Sequence, residues 1–264
     1  MKKSATLLFA GMFALSASAQ VLPTPSPAAQ VEQKVGVTQV ELDYSRPSTK
    51  GRTIFGELVP FDKMWRLGAN GCTKLTINTA IKLAGKDLAA GEYSMQAIPS
   101  ENGNWVIVIN SDATLSGLSG YDEKKDVMRV NAKAMVNSFT ESLFIGVDNI
   151  TNNSGVITIQ WEKLRVDVPF TVDTDNLAVL NIENEIKKGE KLEDVYAGAA
   201  NYYNSKKDYD KALDYANKSI KVKETFRPLF IKANILKNNG DTKGAIKNAE
   251  KALVLAKEAK SLGY

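Results

Sequence analysis

Residues 165–191 read RVDVPFTVDTDNLAVLNIENEIKKGEK, and the period of the apolar positions changes inside this stretch. Val166, Val168, Phe170 and Val172 alternate with Asp167, Pro169 and Thr171, the pattern of a strand with one buried face. Past Asp175 the period becomes helical, and no proline interrupts the chain before Pro228. The switch predicts a mainly β region over residues 35–175, an antiparallel sandwich or barrel, followed by an all-α region of helical hairpins over residues 176–264.

Upstream of the switch, Val40, Leu42 and Tyr44 alternate in the same way. Trp105 to Ile109 is a continuous apolar run suited to a central strand, and Lys74 to Asn78, Leu143 to Val147 and Val156 to Trp161 add further strands. Gly85-Lys86-Asp87, Ala90-Gly91, Asn102-Gly103 and the segment Asn152 to Gly155 supply turns. Roughly nine or ten short strands with no helix between them point to a sandwich or barrel.

Downstream, KDYDKALDYANKSI (Lys207 to Ile220) lies over GDTKGAIKNAEKAL (Gly240 to Leu253) at a spacing of 33 residues. Asp208 falls on Asp241, Ala212 on Ala245, Ala216 on Ala249 and Ile220 on Leu253; in the preceding segments Ala200 falls on Ala233 and Tyr203 on Leu236. Small residues at such spacings let paired helices approach closely, and the region resembles two tetratricopeptide-type repeats. Two hairpins are fewer than the three or so repeats that usually stand alone, so the tail is expected to bury one face against the β domain or another exported protein.

The N-terminus reads as an address. Lys2 and Lys3 precede the apolar run Leu7 to Leu15, and Ala17-Ser18-Ala19 fits the small-x-small cleavage rule, so residues 1–19 are expected to be a signal peptide cleaved before Gln20. The run is too short to span a bilayer, so no membrane span is expected and the protein should be periplasmic or extracellular. Pro23, Pro25 and Pro27 mark residues 20–34 as a flexible lead-in.

The composition excludes much chemistry. Of 264 residues, 44% are apolar and 24% charged, as in a soluble globular protein, and histidine is absent. Without it, Ser-His-Asp and Cys-His catalysis and histidine-held zinc drop out. Cys72 is the one cysteine, which removes internal disulfides and cysteine-rich metal sites and suits a buried, inert residue. Asp122, Glu123 and Asp126 lack the spacing of a calcium loop, so neither a metal nor a cofactor is expected. Residues 20–175 carry 15 basic and 18 acidic side chains, a net of −3; residues 176–264 carry 17 and 12, a net of +5. That excess is scattered lysine, which with export argues against nucleic acid as the partner.

The candidate site lies in Tyr44 to Thr76, YSRPSTKGRTIFGELVPFDKMWRLGANGCTKLT. It gathers Arg46, Arg52, Arg66, Trp65 and Asn70 among four glycines. Arginine presents a rigid donor fork, tryptophan a flat apolar face, and glycine lets a ligand come close. Those five residues are the expected ligand contacts; the alternative is structural, with arginines satisfying loop carbonyls and Trp65 plugging the core. If Trp65 and Arg66 lie on an extended segment they face opposite ways, with Trp65 in the core and Arg66 and Asn70 on the open side near Arg52.

GRTIFGELVPFDKMWRLGAN, followed by IKLAGKDLAAGEYSMQAIP, WVIVIN, YDEKKDVMRV and ITIQWEKLRVDVPF, resembles the domain-of-unknown-function family 2911, found mainly in exported proteins of Bacteroidetes-type bacteria. The likeness runs from about Gln30 to Val172, and members commonly end in a similar helical tail. At Gly71-Cys72 the family more often has an acidic residue and then a small one, so this loop offers no carboxylate here. The resemblance implies no catalytic residue and makes the Arg66-to-Asn70 cluster a family signature.

Two functions remain open. One is an exported, non-enzymatic protein whose β domain binds a polar, glycan-like ligand and whose tail contacts protein. The other is a carbohydrate hydrolase of the cell envelope working through paired carboxylates, with Asp43, Glu57, Asp62 and Glu92 in the right region.

Overall fold

The computed structural model describes residues 23–260 of the chain, which divide at Val172/Asp173 into two compact units. The first holds nine strands: β1 (Ala28–Val35), β2 (Thr38–Ser45), β3 (Thr73–Ile77), β4 (Ile81–Leu83), β5 (Lys86–Leu88), β6 (Gly91–Ile98), β7 (Asn104–Asn110), β8 (Asp126–Asp148) and β9 (Ser154–Val172). Their order is β1-β2-β3-β6-β7-β8-β9-β4-β5, and every neighbouring pair is antiparallel.

Strand β8 belongs to both halves of this sheet. Its first part pairs with β7 from Asp126 to Lys133, and its later part with β9 from Ala134 to Asp148. The register slips between Val136 and Thr140 and again before Phe144, and such irregularities bend a strand. The bend lets β1 and β2 approach β8 and β9 across the core, with a bridge between Ser48 and Ser142. The edges β1 and β5 do not pair with each other, so the sheet is open and sandwich-like, and the barrel alternative drops out.

Two sequence expectations need correction. Residues 28–34 of the expected flexible lead-in belong to strand β1, Ala28–Val35, which pairs with β2 along its whole length; the last lead-in proline is Pro27, so every later N–H is free to join the ladder. Val156–Trp161 and Val166–Val172 are not two short strands but parts of β9. Buried apolar positions run on odd numbers through Ile157, Ile159 and Trp161 and on even numbers from Val166 to Val172. Glu162 sits at the change with φ 54°, where the register against β8 also slips, and this left-handed residue breaks the alternation without ending the strand.

The second unit holds five helices: α1 (Thr174–Lys188), α2 (Leu192–Ser205), α3 (Tyr209–Val222), α4 (Phe226–Asn238) and α5 (Thr242–Glu258). Asp173, Asp208 and Asp241 cap α1, α3 and α5, each accepting from the N–H three residues on, so the aligned pair Asp208 and Asp241 are equivalent caps. Ala197, Ala200, Ala212 and Ala216 pack with Ile231 and Ile235. In the second hairpin, the aligned Ala249 and Leu253 are exposed where Ala216 is buried. No helix among the described residues is long and apolar enough to cross a membrane. The expected signal peptide and its cleavage point lie outside the described residues.

Candidate functional site

Between β2 and β3 the chain leaves the sheet over residues 46–72 and is tied back at several points. The Arg46 Nε donates to the Leu143 carbonyl at 2.8 Å, and the Thr49 N–H to the Glu141 carbonyl at 2.8 Å. Trp65 and Ala97 exchange both backbone hydrogen bonds, at 2.7 and 2.9 Å, and the Cys72 N–H reaches the Leu115 carbonyl at 3.3 Å. Ile54, Val59 and Leu67 are buried beneath this excursion, so it is packed rather than draped.

Trp65, 8% exposed, joins an aromatic cluster with Phe55, Trp105 and Trp161. It stacks on Trp161 with centroids 5.7 Å apart and planes at 20°, and its Nε1 donates to the Gly68 carbonyl at 3.2 Å. Over this cluster the loop leaves a cleft of about 360 Å3, floored by Trp65, Trp161 and Val59 and rimmed by Ser48, Lys50, Arg52, Arg66, Gly68 and Asn70. That volume falls in the range of small-molecule pockets, about 300–1,000 Å3.

Four of the five expected contact residues, Arg52, Trp65, Arg66 and Asn70, therefore line one cleft, and Arg46 does not. Arg46 fits the structural alternative: its guanidinium joins the end of β2 to β8 through the Leu143 carbonyl. Trp65 belongs to the core cluster and floors the cleft, while Arg66 and Asn70 stand with Arg52 on its more open rim. The chain leaves the extended conformation just after Arg66, with Leu67 at φ 54° and Asn70 at φ 60°. A buried leucine in the left-handed region is strained. It is held by its own burial and by the Thr73 hydroxyl, which donates to its carbonyl. Gly68 is required here because a Cβ would meet the Ser45 carbonyl oxygen at 3.1 Å.

The rim is cationic. Lys50 and Arg52 are exposed and Arg66 is half-buried; none forms a salt bridge within 4.0 Å among the described residues. Arg52 donates to the carbonyls of Thr49 (2.9 Å) and Ser48 (2.7 Å), and Arg66 to that of Asn70 (3.0 Å), which aims both guanidinium groups while leaving donors free. Glu141, outside the cleft lining, is engaged by the Thr49 hydroxyl and by the Lys50 N–H at 2.9 Å. Those bonds, with the charges of Arg52 and Lys50, hold its carboxyl below its ordinary value. Glu57 and Asp62, two of the carboxylates weighed from the sequence for a hydrolase, are exposed and absent from the cleft lining.

Lys50, Ser48 and Trp161 are cleft residues that the sequence reading missed. Lys50 was within reach, standing two residues from Arg52, but its position depends on φ 49° and on Glu141, far along the chain. Cys72 is buried beside Gln96 and the Gly117 carbonyl, and burial pushes its thiol up against the opposing hydrogen bond from Gln96 and the charge of Arg66. Among the described residues no group of three or more acids and cysteines is placed to hold a metal.

Residues 26–170 match the family model described as Protein of unknown function (DUF2911), and the chain belongs to that family. The matched span covers β1 through nearly all of β9 and contains the cleft's floor and rim, from Ser26 to Trp161. No curated protein and no solved structure matches the chain.

Proposed function

We propose that this is an exported, non-enzymatic binding protein whose β domain takes a polar ligand in the cleft over Trp65 and Trp161 and whose helical tail contacts another protein. The observation that carries the reading is the convergence of Lys50, Arg52, Arg66 and Asn70 on one cleft with an aromatic floor, on a rigid sheet scaffold. Export rests on the signal-like residues 1–19. For the tail, the support is exposed apolar surface on α4 and α5, where Phe230 is 43%, Ile246 55% and Leu253 52% exposed. A glycan-like ligand suits the mixture of flat apolar floor and polar rim. The hydrolase alternative needs two carboxylates facing each other across the cleft, and the cleft's described lining contains none.

The test is a thermal-shift screen of the mature protein against neutral sugars, organic acids and nucleotides. At least one class should raise the melting temperature, and Arg66→Ala should remove the shift. A screen in which no class raises it contradicts the reading.

A further inference from the structure

We infer that the cleft grips its ligand through an oxyanion, a carboxylate, sulfate or phosphate group, seated between Lys50, Arg52 and Arg66. This deepens the binding reading above and rests on it. The first ground is charge. Residues 20–175 carry a net charge of −3 (15 basic, 18 acidic), yet the cleft is lined by three cations and no acid. Glu141 offsets part of this charge, but both its oxygens serve the Thr49 hydroxyl and the Lys50 N–H, so it fastens the rim instead of capping the cationic heads. The remaining cations repel one another, and a bound anion relieves that repulsion.

The second ground is donors. Arg66 spends one nitrogen, Nη1, on the Asn70 carbonyl, and Arg52 spends Nε and Nη2 on Thr49 and Ser48, so each keeps N–H groups in a fixed fork that fits two oxygens. The backbone adds more. Between the Trp65 N–H, bound to Ala97, and the Cys72 N–H, bound to Leu115, the N–H groups of residues 66–71 reach no acceptor among the described residues. Of these residues Arg66, Gly68, Ala69 and Asn70 line the cleft, and unpaired N–H groups on a loop that enters the left-handed region, as Leu67 and Asn70 do, suit an anion. The third ground is the floor: Trp65, Trp161 and Val59 give the ligand's less polar body an apolar seat beneath the charged rim. Together these select an acid carried on a ring-sized body.

Isothermal titration of the mature full-length protein with matched probes tests this: galacturonate, galactose 6-sulfate and glucose 6-phosphate against neutral galactose and glucose, with inorganic sulfate and phosphate alongside. At least one acidic sugar should bind ten-fold or more tighter than its neutral parent, with affinity falling as salt rises. The acid that binds best identifies the oxyanion. Arg66→Gln and Lys50→Gln, at an exposed side chain, should each weaken that binding at least ten-fold, while Glu57→Gln leaves it unchanged. Neutral sugars binding as tightly as their acids, with Lys50→Gln silent, overturns the oxyanion and leaves the binding site standing. If no probe, charged or neutral, binds, both readings fall.

Discussion

The difference between Trp65 and Arg66 shows what a single position contributes. Trp65 fills the junction of an aromatic cluster and spends its indole N–H on the Gly68 carbonyl, so its replacement by alanine leaves a cavity and an orphaned carbonyl. Trp65→Ala should lower stability by about 3–5 kcal/mol in chemical denaturation, as large-to-small core changes do. Arg66→Ala loses one hydrogen bond at a half-buried site and should cost less than about 1.5 kcal/mol. The reverse ranking would show that Arg66 carries the fold and Trp65 does not. Glu141 gives a pH-dependent counterpart. Its pKa is lowered on folding, so its contribution is complete above its unfolded value and is lost as pH falls through the lowered one. Glu141→Gln should therefore be less stable than the parent near neutral pH, and the gap in melting temperature should close as acidification takes the carboxyl through its lowered range. A gap that stays constant would separate Glu141 from the anchoring of Thr49 and Lys50. Residue types in the loop were legible in the sequence, but the distinction between Arg46, tied to Leu143, and Arg52, on the rim, was not. It depends on contacts 97 residues apart in the chain in one case and three or four apart in the other.

At the scale of elements, β7 showed as the continuous apolar run Trp105 to Ile109, buried on consecutive positions, whereas alternation located β2 directly because that strand keeps one phase along its length. It misread β9 because the buried set changes parity around Glu162, and alternation carries no mark that separates a bulge from a strand end. That long strand is packed closely at its start: a Cβ on Gly155 would lie 2.6 Å from Phe170 Cζ, on a ring that is 1% exposed and cannot swing away. Gly155→Ala should cost about 1–3 kcal/mol through overpacking, read by denaturant unfolding; a neutral effect would mean that the start of β9 has room to shift. In the helical unit the period of 33 placed Asp208 on Asp241, and both prove to be N-caps, so the alignment tracked a physical equivalence. Asp208→Ala and Asp241→Ala should each remove about 0.5–2 kcal/mol from that unit, followed by its helical circular dichroism. No loss at either position would deny the equivalence of the two hairpins.

For the molecule as a whole, the absence of histidine and the single cysteine set the function classes before any fold was known, and the period switch near Asp175 divided the chain close to where the two units part at Val172/Asp173. The cleft itself was only half legible, since Trp161 and the anchoring Glu141 come from the β8–β9 hairpin and meet the loop only through the sheet. Its floor supplies a direct reporter. The chain has three tryptophans, of which Trp65 and Trp161 line the cleft, whereas Trp105 lies behind them and is 1% exposed. The deciding measurement is a titration of 15N-labelled mature protein with the acidic sugar that binds it best among galacturonate, galactose 6-sulfate and glucose 6-phosphate, following the three indole N–H signals. The account predicts that the Trp65 and Trp161 signals shift in a saturable way while Trp105 moves least. Three indole signals that stay still while ligand binds, or a shift confined to Trp105, would place the binding site elsewhere and contradict it.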